Sequence, residues 1–202
     1  MTTSAATQFE GGTAADLALN VHVEVEGAVD SAGVIQASQV RIAHPADARI
    51  VAQVDAVDAT AGTARLLGTE INTDVMTRFE DHGSAPMTTF ALQDVQAGDW
   101  LEVRGTSSAD RSSVSATRVD RLQPQSAVRL AGPVTAAAPP NFTILATPVA
   151  TSAATQFSNG LDATTFFESL TGKLASVRGT WDGSTLRASD AELGDPDDGG
   201  ED

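Results

Sequence analysis

Thr3-Ser4-Ala5-Ala6-Thr7-Gln8-Phe9 returns without change as Thr151-Ser152-Ala153-Ala154-Thr155-Gln156-Phe157. Chance does not reproduce such a run in a chain of 202 residues, so internal repetition sets the frame for every other stretch. A looser copy, Asp74-Val75-Met76-Thr77-Arg78-Phe79, keeps the Thr-x-Phe core, and a glycine follows each Phe at Gly11, Gly83 and Gly160. The chain therefore reads as two and a half copies of one unit.

Downstream of each Phe, apolar residues alternate up to a glycine: Val21 to Gly27, Asp99 to Gly105 and Lys173 to Gly179. That is the period of a half-buried strand. Turn residues follow (Asp30-Ser31-Ala32-Gly33, Ser108-Ala109-Asp110, Asp182-Gly183-Ser184), then a second alternating run at Ala37 to Val40, Ala116 to Val119 and Ala188 to Ala191. Turn chemistry between two such runs predicts a hairpin. Upstream of Thr-x-Phe, the second and third copies add two strand-like runs each, Arg49 to Val54 with Ala64 to Leu67, and Arg129 to Val134 with Phe142 to Leu145. Helical character is confined to Thr89 to Val95 and Thr165 to Leu170, between the third and fourth strands.

Five short strands with a helix or turn between the third and fourth predict an all-β protein of tandem small OB-like barrels. A small sandwich is the alternative that the same strand count permits. The expected organisation is a partial unit over 1–43, full units over 46–122 and 126–194, and an acidic tail over 195–202. His44-Pro45 and Gln123-Pro124-Gln125 read as linkers, with the barrels packed like beads of limited hinge freedom.

Net charge and composition narrow the partners. At -15 and pI near 4.3, with a single lysine (Lys173) and scattered arginines, the chain has no basic patch for a phosphate backbone, and nucleic acid is disfavoured. Absence of cysteine removes disulfides, thiolate metal sites and a cysteine nucleophile. No stretch approaches the roughly 18 apolar residues of a spanning helix, and Met1-Thr2-Thr3-Ser4 does not read as a signal peptide.

Gly132-Pro133-Val134, Thr77-Arg78-Phe79, Gly98 to Gly105 and Ala116 to Val119 together resemble the bacterial domain-of-unknown-function family 5666. The likeness covers nearly everything but the tail, and departs from the pattern where the first copy lacks its opening strands and Leu174 replaces Trp100. The resemblance implies an exported, periplasmic or cell-surface protein. It implies no activity and no catalytic or ligand residues.

Trp100 and Trp181 are the candidate ligand-binding residues, as aromatics that could stack on a sugar or base; packing is the competing reading for both. The three histidines, His22, His44 and His82, fall at unmatched positions without metal-site spacing, and the tail acids lack a calcium-loop pattern, so neither metal nor cofactor is expected. Neither a Gly-x-Ser-x-Gly elbow nor a phosphate-binding glycine loop is present, and an enzyme is not expected. Aligning Thr3 with Thr151 leaves the first copy without its first two strands, which would expose unpaired backbone. Thr7, Gln8 and Phe9 are the expected assembly edge, open to strands from a second molecule and hence to a head-to-tail filament; a cut fragment of a longer repeat protein is the plainer alternative. The expected function is non-enzymatic assembly or binding outside the cytoplasm, with an oligosaccharide- or polymer-binding module as the alternative.

Overall fold

The computed structural model describes residues 1–10, 13, 14, 17, 22–43, 46–158 and 160–194; the linker His44-Pro45, the glycine Gly11 and the acidic tail lie outside them. The chain divides into two compact units, Met1–Pro45 and Ala46–Asp202.

The larger unit holds two closed barrels. In the N-terminal one, β4 (Ala48–Asp58), β5 (Thr63–Leu66), β6 (Thr69–Asn72), β7 (Arg78–Asp81), β8 (Trp100–Ser107) and β9 (Ser113–Leu122) follow in sequence. Pairing runs β4-β5-β6-β9-β8 and back to β4, with β6 and β9 parallel and the other neighbours antiparallel. In repeat terms the order is first, second, third, fifth, fourth and first again, the closed Greek key of an OB-like barrel. The C-terminal barrel repeats it with β10 (Val128–Ala138), β11 (Asn141–Ile144), β12 (Thr147–Ala150), β14 (Leu174–Trp181) and β15 (Leu186–Leu193).

The third strand is not one strand but two pieces. Around 73–77 the chain turns, because Asp74 Oδ1 accepts from the amides of Met76 (2.8 Å) and Thr77 (3.1 Å) while the Asp74 amide donates to Thr77 Oγ1 (2.9 Å). Such local side-chain bonds outcompete the ladder. The chain then rejoins β9 as β7, in parallel, and the C-terminal copy does the same with β13 (Gln156–Phe157) on β15. Ser152 takes the place of Asp74 there, and Ser4 in the first copy, each amide donating 2.9 Å to the threonine three residues on. That threonine's hydroxyl donates in turn to a fifth-strand carbonyl: Thr7 to Ala37 (2.8 Å), Thr77 to Ala116 (2.9 Å), Thr155 to Ala188 (2.8 Å). The repeated heptapeptide is thus the turn that re-aims the third strand and pins it to the fifth.

The segment between third and fourth strands closes each barrel's end. In the N-terminal barrel it is a 3-10 turn, Leu92–Asp94, burying Phe90, Leu92 and Val95; in the C-terminal barrel it is α1 (Ala163–Ser169), capped by Asp162 Oδ1 on the Thr165 amide at 2.8 Å. Phe166 is fully buried against Phe142 and Phe157, with ring centroids 5.7 and 4.8 Å away. Alternate residues of the strands fill the interior, among them Ile50, Leu66, Leu101 and Val103 in one barrel and Leu130, Ile144, Ala175 and Val177 in the other.

The two barrels are not hinged beads. Their first strands pair with each other, Arg129 with Val51 and Ala131 with Arg49, so one ladder runs through both. Val51 and Ala131, which alternation turns away from the barrel interiors, are buried there. Thr69 and Thr147 add a buried hydroxyl pair at 3.1 Å, Thr147 Oγ1 also donating to the Leu67 carbonyl at 2.8 Å. Motion about 123–125 would break the ladder and orphan these polar groups.

In the smaller unit, β1 (Gln8–Glu10), β2 (His22–Val29) and β3 (Ile35–Ala43) form a three-stranded sheet in the order β1-β3-β2. Phe9 pairs with Val40 as Phe79 does with Val119, and Thr2 bridges Gln36 as Asn72 pairs with Ser115. These are the third, fourth and fifth strands of the repeat. Its core is Ala37 and Val40, with Phe9, Leu17 and Val25 partly buried against them.

Candidate functional site

Thr7, Gln8 and Phe9 sit elsewhere than at the gap. β1 is an edge strand, but β7 and β13 are edges of the same kind in the two closed barrels, and Thr7 is spent on the Ala37 carbonyl. What distinguishes the small unit is one strand over. β8 and β14 each lie between a fifth and a first strand, whereas β2 pairs, among the described residues, with β3 alone. The inward positions of this strand are Leu101 and Ala175 in the barrels, 1% and 0% exposed; the matching Val23 is 38% exposed. Val25, matching the buried Val103 and Val177, is half-buried. Val29 is exposed as well. An apolar strip along an unpaired backbone edge is a template for another strand.

Charge along this edge has a pattern to match. In the N-terminal barrel the first strand brings Arg49 to Glu102, Nε to Oε1 2.9 Å, with both side chains largely buried. Glu24 holds the position of Glu102; it meets Arg41 at 3.0 Å from the fifth strand and remains 75% exposed.

Trp100 begins β8 and Trp181 ends β14, so the two tryptophans lie at opposite ends of equivalent strands in different barrels and form no common platform. Both are half-buried and pack on the core. Trp100 also lines a cleft of about 330 Å3 with Asp99, Arg121 and Gly83. A larger, apolar concavity of about 740 Å3 opens beside α1, walled by Pro139, Pro140, Ala153 and Phe167, with Glu168 its one ionisable group.

Two polar constellations escaped the sequence reading. Asp81, its side chain fully buried, forms a two-point ion pair with Arg121 (Nε to Oδ1 2.9 Å) and accepts from the amides of Gly83 (2.9 Å) and Met87 (2.8 Å). The Arg121 hydrogen bonds hold this carboxyl well below the usual carboxylate range against the opposing push of burial, with the two amides helping. Arg121 lies over the Phe90 ring, 4.7 Å from its centroid. On the opposite face of β7, His82 is not a lone histidine: its Nε2 is 3.3 Å from Glu80 Oε2 and 3.8 Å from Asp120 Oδ1. Asp120 comes from the fifth strand, so no spacing in the sequence announces it; the parallel register Glu80 with Asp120 does. His44 lies outside the described residues, and His22 is placed in β2 through its backbone pairing with Ala43.

No helix among the described residues is long and apolar enough to cross a membrane, which says nothing of strands. No curated protein and no solved structure matches the chain. A family model does, over 1–41, 51–120 and 131–192, the last two stretches falling one on each barrel and the first on the three-stranded unit. With most of its length matched, this chain belongs to the family described as a domain of unknown function (DUF5666).

Proposed function

We propose that the protein is a non-enzymatic assembly or binding protein acting outside the cytoplasm, and that the free edge of β2 is its docking surface. The occupant is a hairpin of the repeat's own first and second strands. The observation behind this reading is the contrast between Val23 at 38% exposure and Leu101 and Ala175 at 1% and 0%. Glu24 adds charge complementarity, since a first strand with arginine at the place of Arg49 would meet it as Arg49 meets Glu102. Self-pairing of β2 edges is disfavoured because Glu24 and Glu26 would face their like. A head-to-tail filament of this chain alone is disfavoured too, for β4 and β10 are already paired along both sides. Catalysis finds little support in the concavities described, whose ionisable groups are Glu168 in one and the Asp99 and Arg121 pair in the other.

The test is a synthetic hairpin of the sequence 46–67, which holds β4 and β5 alone, fluorescently labelled and titrated with the full chain. Saturable binding near ~10 µM is expected, equivalent to about 7 kcal/mol. It should be lost with Val25→Glu, and a hairpin carrying Arg49→Glu should bind at least about tenfold more weakly. Equal binding to a chain of 46–202, or none to the full chain up to ~1 mM, overturns the reading.

A second reading, recognition of an oligosaccharide or other polymer, is favoured by the cleft that Trp100 lines with Asp99 and Arg121. Here Trp100→Ala should abolish retention on a polysaccharide affinity gel while Trp181→Ala leaves it intact, since Trp181 lies in the other barrel. Stacking of this kind contributes about 1–3 kcal/mol, a loss of roughly tenfold or more. Unchanged retention in Trp100→Ala sinks it.

A further inference from the structure

We propose that Glu80, His82 and Asp120 bind one divalent transition-metal ion of the zinc class, with its remaining position open to solvent. The three side chains offer one imidazole nitrogen and two carboxylate oxygens that all lie within 4.8 Å of one another. Backbone pairing sets them there. Glu80 and His82 alternate onto one face of the β7 edge, the His82 amide continuing the ladder to the Arg121 carbonyl at 2.8 Å, and Asp120 stands opposite Glu80 on β9.

The feature that points to a ligand is Asp120. Its side chain is 8% exposed, and its Oδ1, the atom facing His82, is buried without a hydrogen-bond partner. A buried carboxylate oxygen is rarely left so. Its other oxygen is held by Arg118 Nε at 2.6 Å, and the same guanidinium reaches Glu80 Oε2 at 2.9 Å, so Arg118 draws the two carboxylates together and leaves Oδ1 directed at the imidazole. The Arg118 charge opposes a cation, and the two carboxylates it bridges offset it. Arg78 approaches Glu80 Oε1 at 3.4 Å from the solvent side.

Distances and donors select the ion class. Ligands about 2.1 Å from a tetrahedral zinc stand about 3.4 Å apart, and Nε2 lies 3.3 Å from Glu80 Oε2 and 3.8 Å from Asp120 Oδ1. The two carboxylate oxygens stand within 4.8 Å of each other, so binding draws them together. An imidazole in the set favours zinc, cobalt or nickel over calcium and magnesium, which take oxygen. The His82 side chain is 55% exposed, so a water or a donor from another molecule can complete the shell.

The fold does not require this group. At the equivalent sequence positions the C-terminal barrel has Ser158, Gly160 and Glu192, and the first copy has Glu10, Gly12 and Arg41, where Glu10 and Arg41 take the places of Glu80 and Asp120 and pair with each other at 3.0 Å. Only the middle copy carries all three donors, on a strand pairing that every copy shares.

The experiment is calorimetric titration of the untagged full chain, freed of metal by chelator, with zinc chloride, and cobalt chloride titration read by visible absorption. One zinc per chain is expected, with cobalt giving the intense bands of four-coordinate geometry, and neither calcium nor magnesium chloride giving heat of binding. His82→Ala should weaken zinc at least about tenfold, the lower end of what even a lost outer partner costs, and Asp120→Asn likewise. The His22→Ala, His44→Ala double variant should bind as the unaltered chain does. Should Asp120→Asn fail to fold, the exposed His82 still decides. Absence of saturable zinc binding, or stoichiometric binding that survives His82→Ala, overturns the site.

Discussion

Gly105→Ala is expected to lower the melting temperature by about 6–12 °C, from a loss of ~3 kcal/mol at about 2–4 °C per kcal/mol for a unit of this size. The cause is close approach of two backbones. Opposite Gly105 the β9 strand bulges, Arg104 facing Arg118 and Gly105 facing Ala116 with Thr117 extra between them, and a Cβ on Gly105 would stand 2.2 Å from the Ser115 carbonyl oxygen. No rotamer relieves a clash between a Cβ and a main-chain atom, so the hairpin itself must part. The same bulge recurs between Arg178 and Gly179 and between Glu26 and Gly27, with a Cβ 2.0 Å from the Arg187 oxygen and 2.1 Å from the Gln36 oxygen. Gly98→Ala is the control. Its φ of +91° penalises alanine, but nothing lies within 4 Å, and a loss of about 1–2 kcal/mol is expected. Thermal melts followed by circular dichroism compare the two; equal shifts would mean that conformation and not contact makes the glycine necessary.

Asp81→Ala should cost about 3 kcal/mol at neutral pH, as breaking a buried ion pair does. Removal of the carboxylate leaves Arg121 against Phe90 without its main partner and deprives the Gly83 and Met87 amides of their acceptor. The pH dependence carries a sign. The folded Asp81 carboxyl is held below its unfolded value, near 4, so its contribution is whole above that pH and declines as the pH falls toward the folded value. Urea melts from pH 7 down to pH 2.5 should show the unaltered chain losing stability below pH 4. Asp81→Asn should start lower and fall less steeply. Parallel curves would mean that another acid governs the limb.

Much of this architecture is legible in the residues. The Thr-x-Phe heptapeptide, the glycine that ends each alternating run and the alternation on either side locate the third, fourth and fifth strands in all three copies, because each is a local requirement on backbone shape. The short helix between third and fourth strands is legible too, though the N-terminal barrel uses a 3-10 turn. The break within the third strand is not legible in the residues. Asp74 and Ser152 are ordinary turn formers, yet the alternation around them looks unbroken until the hydrogen bonds to Thr77 and Thr155 are seen.

By itself, then, the sequence determined the repeat, its strands, their turns and the family, since each rests on contacts between near neighbours in the chain. Tertiary structure alone decided three things. First strands that pair across two barrels make one body of 46–202, where composition suggested a linker at 123–125. Among the described residues the strand that lacks the first-strand neighbour found in both barrels is β2, and not Thr7 to Phe9, because which strand lacks a neighbour follows from the order in which the sheet closes. Glu80 and His82 meet Asp120, and Asp81 meets Arg121, through the parallel register of β7 on β9. A parallel pair joins residues some forty positions apart, and no local pattern records which side chains such a register will bring face to face.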